Sequence, residues 1–543
     1  MSNRDTQLGR EYEDLVLRRP EPLVPRGRTV DWADQPSHFK LYYDVPRLPL
    51  RAAADTTLHP LGQLATGATH EGAAQPLTYE RLSSLLLLTN GLLGRRLDVN
   101  WNPEYENVLR HEGAIYARPA ASGGGRYPCE LYLVTGAQSG LAAGVYHYDT
   151  AHHAAERLTR GDRTQHVRAA LLDHPAAAAD CFLLVSINFW KNHFKYHNFS
   201  YHVVTQDLGA MLGTISQVAA GMGVPATVLH WFRDEALNQL LGLETATESV
   251  FAVVALGPRV AAAGQNTARA GGASALPAAR PRHRSYQRSK RVFALPLVEG
   301  VHQATLVADE PRPTAEEIAR ARCPEVASTG EVLPLPAPQF AAMQKGLQQV
   351  LRERRSSSGR MLSGRPLDQV RLATLLSSVT AARAYENDVQ AGAPADDYTR
   401  LMVLVNHVEG VARGVYNYDA RRHALRLVRA GEFGAELQNK YFLQNYNTEQ
   451  PAVVIAVVGS FEPMLEVFGN RGVRVLNTAA GVLTQQAYAA AASLSLGCGA
   501  ILGYKNVEVN KLFGLEGSAQ TALILLMVGA ENSNKSGFDY SLV

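Results

Sequence analysis

The chain is 543 residues long, enough for two or three domains with sizeable cores. Apolar residues make up 46%, charged residues 19% and the net charge is +3, an ordinary globular balance that argues against a nucleic-acid-binding face. No apolar run reaches the roughly 20 residues of a membrane helix, and residues 1–19 carry no secretory apolar core, so a cytoplasmic protein off the membrane is expected.

Residues 1–75 are Pro-rich and irregular and read as an N-terminal arm that packs on the body, with an aromatic patch at His38-Phe39-Lys40-Leu41-Tyr42-Tyr43. From Pro76 the pattern becomes periodic. A glycine loop, Ser122-Gly-Gly-Gly-Arg126, precedes strand-like Glu130–Val134, and Gly144-Val-Tyr-His-Tyr-Asp149 reads as part of a hairpin. A second strand-like run, Cys181–Ile187, leads into Phe189–Tyr201, where six aromatics surround Lys195-Tyr196. A helix-like segment, Thr205–Ala220, and strand-like Phe251–Leu256 follow. Residues 258–338 are rich in Pro, Ala and Gly and carry a basic cluster from Arg280 to Arg291, which reads as a solvated linker or as a contact for an acidic group.

After the linker the chain repeats itself. Pro76-Leu77 with Leu82, Leu85 and Leu86 recurs as Pro366-Leu367 with Leu372, Leu375 and Leu376. Gly144-Val-Tyr-His-Tyr-Asp149 recurs as Gly414-Val-Tyr-Asn-Tyr-Asp419, and Asn238–Glu244 recurs as Asn510–Glu516, an offset of 272. Two copies of one α+β fold are therefore expected at 76–257 and 339–530, with a tail at 531–543.

The copies differ where chemistry is expected. Arg355, Ser357 and Arg360 occur only in the second; they read as a phosphate cradle or as an exposed helix terminus. At the corresponding place the first copy has Leu64–His70, without arginine. The glycine loop occurs only in the first copy. Its bare backbone suits close approach to a flat or anionic ligand, or a simple turn. The Lys195-Tyr196 pair is likewise unique to the first copy and reads as a base with a depressed pKa in apolar surroundings, or as an aromatic closure of the core. There is no GxGxxG or Walker motif. His193, His197 and His202 lack acidic or thiol neighbours, and the four cysteines (Cys129, Cys181, Cys323, Cys498) are dispersed, so no metal site or disulfide framework is expected.

As a set these motifs resemble the nitroreductase-like flavin dehydrogenases of the SagB/ThcOx type, which oxidise azolines in ribosomal peptide biosynthesis. The resemblance rests on Ser122–Tyr132, Gly144–Asp149, Lys195-Tyr196 with Tyr201, and the arm residues Asp31-Trp32, Gln35-Pro36, Phe39-Lys40, Tyr42 and Pro46–Leu50. It implies a nitroreductase-like fold whose tandem copies form a pseudodimer within one chain, binding one FMN where two copies meet. Arg355, Ser357 and Arg360 would take the phosphate. Ser122, Gly124 and Arg126 would complete the site, with Gly503-Tyr504 along the isoalloxazine edge. Lys195 would be the base and Tyr196 its partner. A modified precursor peptide and a cyclodehydratase complex are the implied partners. His197-Asn198-Phe199 in place of small residues, and Ala121 in place of proline, depart from the family pattern and leave the substrate open. An NAD(P)H-dependent nitro or quinone reductase and a flavin-free peptide-binding scaffold are the alternatives.

Overall fold

The computed structural model describes residues 3–19, 29–51, 58, 61–65, 75–98, 115–137, 139–257, 283–325, 330–357, 360–390, 398–443, 445–532 and 537–542. Residues 66–70 of the arginine-free first-copy stretch, Arg280 and Arg282 of the basic cluster, and Ser358-Gly359 lie outside them.

Each copy contains a seven-stranded sheet whose strand pairs are all antiparallel, and the strand order is the same in both. In the first copy the order runs Arg47–Pro49, Ala154–Arg160, Gly144–Asp149, Cys129–Thr135, Cys181–Asn188, Glu248–Leu256, Ala226–Leu229. In the second it runs Val332–Pro334, Ala424–Ala430, Gly414–Asp419, Thr399–Val405, Val453–Gly459, Thr521–Gly529, Gly497–Ile501. The unbroken apolar runs at the centre follow from burial on both faces. Leu183 and Val185 enter the core shared by the two copies, while Phe182 and Leu184 enter a separate core on the outer face. Ile455 and Val457, against Val454 and Ala456, repeat the division. The Gly-Val-Tyr-x-Tyr-Asp motif forms a strand plus the turn after it. Asp149 Oδ1 accepts from Ala151 N and His152 N, as Asp419 Oδ1 does from Arg421 N and Arg422 N.

The copies meet along two long helices, Ser200–Gly221 and Arg471–Ser493. Their backbones touch at Gly209 and Gly481, which are themselves 272 positions apart. A Cβ on Gly481 would lie 2.8 Å from Gly209 Cα, and one on Gly209 would lie 2.7 Å from Gly481 Cα. Gly481→Ala is expected to cost about 3 kcal/mol, the upper end for overpacking, because the obstacle is backbone and not a movable side chain. A chemical denaturation midpoint equal to that of the parent chain would contradict this.

The arm and linker are more structured than their composition implies. The arm contains the helix Gln7–Leu17, which buries Tyr12 and Val16, and supplies the edge strand of the first sheet. The linker supplies the helices Pro296–Ala304 and Ala315–Arg320 and the edge strand of the second sheet. Arg284, Arg288, Lys290 and Arg291 are exposed as expected, yet their backbone is fastened to the arm: Tyr43 N donates to Arg284 O at 2.8 Å, and the Asp34 carboxylate accepts from Lys290 N and Arg291 N. Among the described residues no helix is long and apolar enough to cross a membrane.

Candidate functional site

The glycine loop is held from beneath by the first long helix. Asp207 Oδ1 accepts from Gly123 N at 2.7 Å and Oδ2 from Ser122 Oγ at 2.8 Å, while Ser122 Oγ accepts from Tyr127 N at 2.8 Å. Gly124 and Gly125 then turn through positive φ, +61° and +65°, which glycine adopts without steric cost. Burial pushes the Asp207 carboxyl up from an ordinary 3.8 to about 7, against the two hydrogen bonds that favour its ionised form. The fold thus binds this proton more tightly than the unfolded chain does. The stability Asp207 lends is complete below pH 4 and falls away as pH rises through about 7. Asp207→Asn is expected to flatten that fall between pH 4 and 7, measured as the pH dependence of the urea midpoint; an unchanged profile would contradict it.

Lys195 and Tyr196 occupy the last turn of the helix Trp190–Tyr196, which ends at His197 with a φ of 47°. Both side chains are half-buried and converge on the glycine loop. A Cβ on Gly124 would lie 2.8 Å from Lys195 Nζ and closer still to the Tyr196 hydroxyl. Lys195 Nζ lies 5.0 Å from the Tyr196 ring centroid and 5.7 Å from that of Trp32, which packs edge-on against Phe194. The fully buried lysine of this helix is Lys191, one turn earlier, whose amine bonds Glu130, His38 O and Tyr127 O and whose pKa is lowered chiefly by burial.

Arg126 faces away from the loop. Its buried guanidinium donates to Gln35 Oε1 at 3.1 Å, Pro36 O at 3.4 Å and Lys191 O at 3.3 Å, and lies 4.6 Å over Phe194. It fastens the arm, with Trp32 nearby, to the helix that carries Lys195.

The second copy contributes from the other side. Residues 354–357 run beside the strand Gly497–Ile501, where Ser357 N donates to Cys498 O at 2.9 Å. The Ser357 hydroxyl is buried and has no hydrogen-bond partner among the described residues. It lies against Gly497, where a Cβ would approach it to 2.6 Å. Arg355 pairs with Glu531 at 3.2 Å, and Arg360 N donates to Ser357 O. Gly503-Tyr504 follow the opposite end of the same strand. Gly503 O accepts from Phe442 N at 2.9 Å, and Tyr504 is fully buried with its hydroxyl donating to Ala522 O at 2.9 Å.

Residues 118–121 join the two halves. Arg354 donates to Pro119 O at 3.0 Å and Arg118 O at 2.9 Å, and the Gln485 side chain bonds Ala121 N and Pro119 O. The structure therefore brings Ser122, Gly124, Lys195 and Tyr196 into one cluster, and Arg355, Ser357 and Arg360 into another around Cys498. Asp207, which holds the glycine loop, and Arg354 and Gln485, which tie residues 118–121 to the second copy, were not singled out from sequence. For Asp207 a signal existed: it is the one acidic residue in the apolar stretch 200–221. The three histidines are packed, His193 on Phe189, His197 on Phe293, and His202 bonded to Leu523 O; among the described residues no His/Cys/Asp/Glu cluster suits a metal ion.

The pseudo-symmetric position carries different residues. Trp231-Phe232, the counterparts of Gly503-Tyr504, are fully buried. Asp388 accepts from His230 N at 2.7 Å and Trp231 N at 3.0 Å, with its carboxyl raised by burial to about 6. Arg471 lies 4.8 Å over Phe232 and pairs with Asp234 at 2.6 Å.

Among known proteins, a putative nitroreductase of Methanocaldococcus jannaschii is 29% identical over 205 residues, 37% of this chain and 98% of that one. A putative nitroreductase from Anabaena variabilis has the same fold along nearly the whole chain, with a TM-score of 0.70 at 23% identity, covering 97% of this chain and 99% of that one. A chain of the E. coli microcin synthetase complex McbBCD, solved with a truncated pro-peptide bound, aligns at a TM-score of only 0.27 and 21% identity over 36% of this chain and 73% of that one. The nitroreductase family model matches twice, at residues 74–258 and 351–530, and the chain belongs to that family.

Proposed function

We propose that this protein is an FMN-dependent dehydrogenase that oxidises thiazoline or oxazoline rings to thiazoles or oxazoles in a ribosomally made or carrier-bound peptide, working with a cyclodehydratase. The observation that carries the proposal is the convergence of Lys195 and Tyr196 on Gly124, inside a loop that Arg354 and Gln485 of the other copy hold in place. A reductase drawing hydride from NAD(P)H needs no such paired base.

The residues present fit FMN. The unpartnered Ser357 hydroxyl, with Arg355 and Arg360 in the same loop, suits a phosphate dianion. The bare Gly124 lets Lys195 Nζ and the Tyr196 hydroxyl come close to the loop backbone, and Gly125 beside it faces open space. Arg355, Ser357 and Arg360 would hold the phosphate, Ser122 and Gly124 would line the cofactor, and Gly503 and Tyr504 would lie at its ring edge. Arg126 serves the site indirectly, through the arm. When bound, the flavin accepts the hydride that leaves Cβ of the azoline. Lys195 takes the Cα proton at Nζ, Tyr196 orients the amine, and Trp32 and Phe194 limit water around it. The glycine loop and the Lys-Tyr pair occur only in the first copy and the Arg/Ser loop only in the second, which supports one FMN per chain.

The test is flavin released and counted per polypeptide, followed by incubation with an azoline peptide. One FMN and loss of two hydrogens from the ring support the proposal, whereas two per chain sink the single-site reading. None shifts the assignment to a peptide-binding scaffold. Rapid reduction by NADPH that survives Lys195→Ala, with no azoline turnover, makes the protein a nitro or quinone reductase.

A further inference from the structure

Arg19 ends the N-terminal helix in a place where a cation is costly. It is 4% exposed, and its guanidinium carbon lies 5.0 Å from the Phe199 ring centroid and 4.5 Å from that of Tyr504. It is thus held between the aromatic segment after Lys195-Tyr196 in one copy and the residue after Gly503 in the other. Its three nitrogens have no hydrogen-bond partner of good geometry, its nearest polar neighbour is the Tyr504 hydroxyl, and no carboxylate pairs with it among the described residues. Two neighbouring groups are also unmatched. His202 Nδ1 and Gln206 Oε1 have no partner among the described residues, and His202 is held neutral by burial and by Arg19 itself, its pKa lowered to about 3. A buried, unpaired charge beside orphaned polar atoms is strongly unfavourable unless something present in the working protein offsets it.

The pseudo-symmetric position shows what a structural arginine looks like in this fold. Arg471 lies over Phe232, the counterpart of Tyr504, but it is paired with Asp234 and bonded to His230 O and Thr305 O. The counterpart of Asp234 is Asn506, which opens the equivalent short helix and bonds Ala522 O and Thr521. On that side the guanidinium has its anion built in, the Asp234 carboxylate. On the side of the candidate site the carboxylate is replaced by a neutral amide, and the guanidinium arrives from a separate element, the arm.

We propose that Arg19 is a positioning residue for charge: it balances the negative charge that two-electron reduction leaves on the bound flavin ring and so raises the cofactor's reduction potential. The inference rests on the FMN reading above. When the azoline loses its Cα proton to Lys195 and its Cβ hydride to the ring, the neutral oxidised ring gains a hydride and with it one negative charge, which Arg19 matches without a further proton. The oxidised holoprotein carries the cost of the unpaired cation, and reduction relieves it.

The experiment is a spectroelectrochemical titration of holoprotein for the parent chain, Arg19→Gln and Arg19→Lys, with urea unfolding of each flavin-free chain. Arg19→Gln is expected to lose tenfold or more of its preference for reduced over oxidised flavin, a fall of about 30 mV for a two-electron couple. Arg19→Lys keeps the parent potential. The flavin-free Arg19→Gln chain should be at least as stable as the parent, because an unpaired buried charge has been removed. A flavin-loaded Arg19→Gln with an unmoved potential overturns this inference alone. A flavin-free variant markedly less stable than the parent makes Arg19 structural and overturns it as well. A parent chain that binds no flavin overturns the FMN reading and this inference together.

Discussion

Lys195→Ala is expected to give a folded, flavin-loaded protein whose azoline turnover falls by about 10²–10⁴-fold, the range associated with losing a positioned general base. The fold should tolerate the change. Lys195 is half-buried on the last turn of a short helix, and its amine makes no hydrogen bond or ion pair with the described residues, so truncation opens no sealed cavity. The loss should appear in kcat more than in KM, because the amine acts on the proton being removed and not on substrate affinity. Tyr196→Phe, which keeps the ring that Lys195 lies over, should cost less than Lys195→Ala. Equal flavin content with unchanged turnover in Lys195→Ala would remove the lysine from the chemistry.

Gly124→Ala is expected to reduce turnover about as strongly while leaving the protein folded. The added methyl meets the far ends of two flexible side chains, Lys195 Nζ and the Tyr196 hydroxyl, so the collision resolves by displacing the groups proposed to act. The φ of +61° adds about 1–2 kcal/mol of backbone strain for a residue with a Cβ. Gly125→Ala is the internal control: it shares the strain, with a φ of +65°, but its Cβ meets nothing within 4 Å. Turnover falling sharply in Gly124→Ala and modestly in Gly125→Ala, at similar unfolding midpoints, isolates the displacement. Equal losses in both would assign the effect to loop geometry alone.

Much of the fold was legible because the two copies carry the same local code. The Gly-Val-Tyr-x-Tyr-Asp strands, the paired Asn-x-Leu-x-Gly-Leu-Glu helix ends and the continuous apolar runs depend on short-range pattern, and short-range pattern is what spacing records. The candidate site was legible in outline for the same reason: Ser122–Arg126, Lys195-Tyr196 and Arg355–Arg360 stand out as interruptions of the repeat. What spacing does not record is direction. Arg126 and Arg354 flank those motifs, yet both guanidiniums point into the protein, one to the arm carbonyl of Pro36 and the other to Pro119 O across 235 positions of chain. The linker's bulk composition hid its helices, although Thr314 and Glu317 form a capping box that starts Ala315–Arg320, and Pro296–Ala304 buries Val298, Val301 and His302.

The sequence by itself determined the tandem repeat, the two-faced strands and the asymmetry between the copies, since these are matters of residue type and period. Tertiary structure decided the rest. The backbone contact of Gly209 with Gly481 brings the two halves together, and Asp207 and Gln485 then reach the glycine loop from two different helices. Asp388 and Arg471 lie at one of the two pseudo-equivalent positions, while Arg19 enters beside the other with no anion among the described residues. Each of these depends on groups far apart in the chain meeting in a medium of low dielectric, where an unpaired charge or hydroxyl carries a large free-energy cost that spacing along the sequence does not record.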